Sequence, residues 1–186
     1  MDFKERIIKK LVNLLGGTFN DVAGVFDKLS VKMGRDFRDR HSLRGKFHFK
    51  LIDEFGNIKQ EFEVPNTVTE LGDAHVADAM SDRGVGLATH MAVGTGAAGG
   101  ASATALTAEL ARVALDSTTQ GAAGADNDVV WVATFPAGTG TGALTEAGIF
   151  NAAANGVMDV ISGFAVINKG AADSLEITWT LTCGAS

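Results

Sequence analysis

Apolar residues recur at two different intervals along this chain, and the interval changes between residues 34 and 46. Over residues 2–15, Phe3, Ile7, Leu11, Leu14 and Leu15 follow one another at helical spacing, with Lys4, Arg6, Lys9 and Lys10 largely elsewhere. That is the signature of one helix face. Gly16-Gly17 stops this helix. Thr18 is placed to cap a second helix with Asp21 in its first turn. Val22, Val25, Phe26, Leu29 and Met33 form the second stripe, and Gly34 ends it. Residues 35–46, RDFRDRHSLRGK, read as a polar linker.

From Lys46 the period is two. Phe47, Phe49 and Leu51 share one face of KFHFKLI, and Lys46, His48 and Lys50 share the other. DEFGN supplies turn chemistry. Ile58, Gln60, Phe62 and Val64 then alternate with Lys59, Glu61 and Glu63, which predicts a β-hairpin. Pro65-Asn66 breaks the second strand. Thr67-x-x-Glu70 has the form of a capping box. Val68, Leu71, His75, Val76, Ala79 and Met80 follow at helical spacing, predicting a short helix to about Met80.

Residues 88–93 read as a strand, followed by a glycine loop and a helical or extended stretch from Leu106 to Leu115. VVWVATF, LTEAGIFNA, VMDVISGFAVI and SLEITWTLT then read as strands between Gly-, Ala-, Asn- and Asp-rich loops. In the last of these, Leu175, Ile177, Trp179 and Leu181 face one way. Short strands with Gly-rich turns predict a mainly β fold, an antiparallel β-sandwich. The expected organisation is a helical arm and linker over residues 1–44 and a β body over residues 45–186.

Charge sharpens this division. Residues 1–50 hold 12 Lys and Arg against 6 Asp and Glu, and residues 51–186 hold 4 against 16. A basic arm therefore precedes an acidic body, and opposite fields of this kind steer association between subunits. The single cysteine, Cys183, excludes an internal disulfide framework and a Cys-based zinc site. Residues 1–15 interleave charges with apolar positions, so they do not read as a secretory signal, and no stretch approaches a membrane span.

Gly94-Thr95-Gly96-Ala97-Ala98-Gly99 matches G-x-G-x-x-G, the glycine pattern that lets a backbone approach a pyrophosphate. Asp116 lies about 20 residues on, where an acid would hold the ribose. No apolar strand leads into it, because residues 117–127, STTQGAAGADN, are polar. No Lys follows the glycines, which excludes a P-loop. A flexible connection between strands is the expectation, with no cofactor. His41, His48, His75 and His90 share no metal-ligand spacing, and His75 reads as a packed histidine on an apolar helix face. Asp126-Asn127-Asp128 lacks the further ligands of a calcium loop and reads as a hairpin tip. Glu146 is the acid embedded in an apolar β segment, and its burial calls for backbone or cross-chain hydrogen bonds. The arm's charges are mixed and its aromatics few, which favours docking on a neighbouring subunit over nucleic acid or a membrane surface.

Three segments carry a family likeness: GTG…TALTAELARVAL, WVATFPAGTGTGALTEAGIFNA and VINKGAADSLEITWTLT. With the hairpin and short helix before them, they resemble a β-rich module of tailed-bacteriophage virion proteins, such as tail-fibre and collar proteins. Gly94, Leu106, Glu109, Leu110 and Arg112 fit the first half of its pattern. Leu144, Glu146, Gly148, Phe150, Asn168, Lys169 and Trp179 fit the second. The likeness covers about residues 45–183, and the first 44 residues carry none of it.

The resemblance implies a non-enzymatic virion building block, made in the host cytoplasm and assembled with copies of itself and other virion proteins in the tail, neck, fibre or capsid surface. Phe3, Ile7, Leu11, Leu14, Val22, Phe26 and Leu29 are the expected docking residues of the arm. Arg112 and Glu146 are the expected structural ion pair, within or between subunits. The alternative is a receptor- or glycan-binding module of a phage tail, with a cell-surface glycan as partner. Glycan sites expose aromatics, whereas Trp131 and Trp179 both sit in strand-like alternation that favours core use.

Overall fold

A computed structural model describes residues 41–84, 86–121 and 127–185. Both expected arm helices, with Phe3, Ile7, Leu11, Leu14, Val22, Phe26 and Leu29, fall outside the described residues. Asp126 does as well.

The alternation of the first hairpin becomes β1 (His41–Ile52) and β2 (Ile58–Pro65). Phe47, Phe49 and Leu51 are buried, and the opposite face pairs charges diagonally across the strands, Lys46 with Glu63 at 2.8 Å and His48 with Glu61 at 3.0 Å. The turn is held by the Asp53 carboxylate, which accepts from the N–H groups of Phe55 (2.9 Å) and Asn57 (2.8 Å). Gly56 takes the positive φ of 85° that the turn requires. β1 begins at His41, inside the stretch whose charges read as linker.

Next come β3 (Thr67–Val68) and the helix α1 (Glu70–Met80), the short helix expected from the pattern. Its cap is Thr69 rather than Thr67, which is already in β3. The fully buried Thr69 hydroxyl accepts from Gly72 N–H at 2.9 Å and donates to the carbonyls of Met158 and Asp159. The cap thus also docks the helix on a strand.

The remaining strands are β4 (His90–Gly94), β5 (Glu109–Ala114), β6 (Ser117–Gln120), β7 (Asp128–Phe135), β8 (Gly142–Phe150), β9 (Met158–Lys169) and β10 (Ser174–Ala185). The ambiguous stretch from Leu106 to Leu115 is extended over β5. β6 lies within the segment that read as a polar loop. It is an edge strand exposed on every residue, so it carries no apolar alternation.

Among the described residues the fold is mainly β, with two five-stranded antiparallel sheets and one helix. The first sheet runs β2-β1-β10-β7-β6 and the second β3-β9-β8-β4-β5. Buried side chains of both enter one apolar cluster, including Phe47, Trp179 and Phe135 from the first and Met91, Ile149 and Val160 from the second. Trp179 and Trp131 are Cα partners across β10 and β7 and stack with centroids 4.4 Å apart. Phe47 of β1 stacks on the other side of Trp179 at 5.8 Å. Both tryptophans are core residues.

α1 lies against β9 at Gly72, where a Cβ would run into the carbonyl oxygen of Asp159. Gly72→Ala should lower stability by about 1–2 kcal/mol, because overpacking costs of about 1–3 kcal/mol outweigh the 0.5–1 kcal/mol that Ala gains in a helix. Urea unfolding measures this. A midpoint equal to or above that of the unmodified chain would mean that the helix is not seated at Gly72.

Candidate functional site

β8 lies between β9 and β4, so its backbone is paired on both sides, and a bulge falls between Leu144 and Glu146. Glu146 is completely buried. Its Oε1 accepts from the N–H of Gly96 (3.1 Å) and of Ala108 (2.7 Å), and its Oε2 from that of Thr107 (3.0 Å). Thr145 Oγ1 donates to Gly96 O at 2.7 Å, and Thr107 Oγ1 donates to Ala97 O at 2.7 Å. Thr95 N–H bonds Ala108 O at 3.0 Å. The two ends of the loop between β4 and β5 are thereby drawn together on one carboxylate.

This arrangement explains the G-x-G pattern. A Cβ at Gly94 or at Gly96 would stand 2.6 Å from Glu146 Oε1. Backbone N–H groups converge on an anion, as they would on a phosphate, but the anion is the chain's own carboxylate. The connection is therefore pinned, where the sequence led us to expect a flexible one.

The pinned loop covers the face of the second sheet that looks away from the main core. Leu106 joins Ala92, Phe150, Met158 and Ile161 in a second apolar cluster, with Ala98 and Ala103 packed against it. Gly148 makes room for Leu106, whose Cδ2 would lie 3.2 Å from a Cβ there. The loop also reaches the helix, since Glu70 N–H donates to Ala101 O at 2.8 Å.

The ion pair expected between Arg112 and Glu146 is not formed. Arg112 bonds Glu109 instead, Nε to Oε1 at 2.9 Å and Nη2 to Oε2 at 2.7 Å. Its Nη1 donates to the carbonyls of Ala152 (2.8 Å) and Asn155 (2.9 Å). Its guanidinium carbon sits 3.6 Å from the centroid of the Phe150 ring. The physical reason is competition: three backbone N–H donors already hold the fully buried Glu146 oxygens, while Glu109 on the same strand as Arg112 is open to a bidentate partner. Arg112 thus seals Phe150 and ties the turn after β8.

Lys169 and Asp173 hold the connection between β9 and β10. The buried Lys169 ammonium donates to Pro136 O (3.0 Å) and Asp173 O (2.6 Å). Burial lowers its pKa, and the Asp173 charge offsets part of that. Asp173 accepts from Lys59 Nζ (2.7 Å) and Gly170 N–H (2.8 Å). The Lys59 bond, then the Gly170 bond, hold its carboxyl below the ordinary 3.8.

His75 is a packed histidine, and its Nδ1 lies 2.6 Å from Asp159 Oδ1. Burial pushes the Asp159 carboxyl above its ordinary pKa, against the opposing bond and charge of His75. His75 Nε2 is buried without a hydrogen-bond partner among the described residues. Both residues line a cavity of about 310 Å³ between α1 and the first sheet, with Val68, Trp131, Val129 and Leu181 among its apolar walls. The other described histidines are separate: His48 pairs with Glu61, and His90 Nδ1 lies 2.8 Å from Thr89 Oγ1. No three His, Cys, Asp or Glu side chains converge as metal ligands among the described residues. Asn127, just before β7, donates to Cys183 O at 2.9 Å.

Asp159 and Gly72 escaped the sequence reading although signals existed. Asp159 is an acid inside an apolar strand, the same mark that singled out Glu146, and a glycine within a helical pattern points to close packing. No family model, curated protein or solved structure matches this chain.

Glu146→Ala should cost at least about 3 kcal/mol, because three N–H groups lose their acceptor at about 1–3 kcal/mol each. Glu109→Ala should cost less, because the Arg112 guanidinium that it leaves keeps two carbonyl acceptors and the Phe150 face. Equal losses in chemical denaturation would deny Glu146 its anchoring role. A second expectation concerns acid. The Asp173 pKa is lowered in the folded chain, so its contribution is complete above an unfolded value of about 3.8 and disappears as pH falls through the lowered one. Asp173→Asn should flatten the stability–pH curve in that window, and an unchanged curve would contradict the assignment.

Proposed function

We propose that this chain is a non-enzymatic structural protein of a tailed-bacteriophage particle, synthesised in the host cytoplasm. On this reading the two sheets stack face to face as an antiparallel β-sandwich, the body of the subunit. The N-terminal arm and the sheet edges join it to further copies and to other virion proteins in the tail, neck, fibre or capsid surface.

The observation that carries the proposal is where the residues of the resemblance meet. Seven of the twelve, Gly94, Leu106, Glu109, Arg112, Glu146, Gly148 and Phe150, lie about the second apolar cluster, where Glu146 holds the loop between β4 and β5 and Arg112, paired with Glu109, holds the turn after β8. A pattern of that kind preserves a shape, whereas a catalytic pattern would present free groups to a substrate. The glycan alternative gains no support from the tryptophans, which are spent in the core. The one exposed aromatic among the described residues is Phe55, at a hairpin tip.

Mass spectrometry of washed, purified particles from the genome that encodes the chain tests this. The chain should be present at a fixed ratio to the other particle proteins. Particles complete without it would overturn the proposal.

A further inference from the structure

The cavity beside α1 opens at an apolar patch. α1 presents Gly72, His75, Val76 and Ala79 to it, and Leu87 lines it from the segment that follows. Val76 and Leu87 line the cavity while remaining exposed, and Met80, one turn beyond Val76, is exposed outside its lining. Clustered apolar exposure of this sort marks a docking surface.

The charges around the patch have one dominant sign. Residues 70–83 carry Glu70, Asp73, Asp78 and Asp82 against Arg83 alone. At 3.6 residues per turn, Asp73 and Asp78 flank the Gly72–Ala79 face on either side. Arg83 lies 3.8 Å from Asp78, and the last turn of α1 holds no basic residue.

Resting on the assembly reading above, we infer that this groove receives residues 2–15 of a second copy of the chain. That segment brings anchors at the spacing helix-in-groove docking uses, Phe3, Ile7, Leu11 and Leu14. Its cations, Lys4, Arg6, Lys9 and Lys10, outnumber Asp2 and Glu5 and match the acidic rim of the groove. The second predicted helix, from Thr18 to Met33, balances Asp21 and Asp27 against Lys28 and Lys32, so it lacks the complementary charge. The groove supplies the apolar cover that the stripe of residues 2–15 needs, and the acidic rim sets its direction and register.

Site-directed disulfides in the full chain test the inference. With Cys183→Ser as background, a tagged chain carrying Ile7→Cys is co-expressed with an untagged chain carrying Val76→Cys. Mild oxidation should link the two, and Phe55→Cys in place of Val76→Cys should give no link. A chain bearing both cysteines that closes only on itself, a link equally strong at Phe55, or no link at all would each overturn the inference. Asp73→Lys with Asp78→Lys leaves the apolar packing untouched. It should abolish the oligomer in sedimentation, and Lys9→Glu with Lys10→Glu should restore it. An oligomer indifferent to the first pair would also refute the docking. Incorporation of the chain into particles without any such link would remove this inference and leave the assembly proposal standing.

Discussion

A carboxylate sealed under a loop is costly unless hydrogen bonds replace its water, and Glu146 has three backbone donors in place of that water. Bonds to a charged acceptor are each worth about 1.5–3 kcal/mol net. The effect spreads well beyond one residue. With the loop ends fixed, Leu106 is held over Ala92 and Phe150, so that part of the second sheet's outer face is buried. Ala101 is then in place to accept from Glu70, which anchors the first residue of α1. The helix in turn closes over the cavity that holds His75 and Asp159. A single side chain on a central strand thus connects loop, second apolar cluster and helix.

The main core has a different basis. Phe62 of β2, Phe49 and Phe47 of β1, Trp179 of β10 and Trp131 of β7 stack in succession across four strands of the first sheet. Each contact adds about 0.5–1.5 kcal/mol to the area buried. Phe164 of β9 packs on Phe49 with centroids 4.3 Å apart, so the series also touches the second sheet. Apolar burial holds the sheets together, while the polar anchor shapes what covers them.

Legibility in the sequence followed burial. β1, β2, β7 and β10 have one buried and one solvated face, and their alternation was plain. β6 has no buried face and left no pattern, so its four residues passed for loop. β8 from Glu146 onward is buried on both faces and reads as an apolar run in which one acid stands out. That acid marked the site, but its partners were out of reach, because backbone N–H groups have no letter in the sequence. Charge complementarity suggested Arg112. The geometry gave Arg112 to Glu109, three residues away on the same strand, and to Phe150. The G-x-G pattern was visible as a match to anion binding, and the missing fact was that the anion came from 50 residues downstream.

The same commitments explain the acidity of the body. Residues 51–186 contain four cations, Lys59, Arg83, Arg112 and Lys169. Lys59 is bound to Asp173, Arg112 to Glu109 and two carbonyls, and Lys169 to two carbonyls. Only Arg83, 3.8 Å from Asp78, stays loosely held at the surface. The positive charge of the body is therefore largely consumed in keeping its shape, and carboxylates such as Glu54, Glu70, Asp73, Asp82 and Asp116 are left exposed. Bodies of one sign repel at close range unless opposite charge lies between them, and the Debye length of about 8 Å at physiological salt confines that repulsion to near contact. In the assembly proposed above, the basic residues of the arm are what would supply the opposite charge. An assembly built this way tightens at low ionic strength through its charges and retains, at high ionic strength, whatever its apolar stripes contribute.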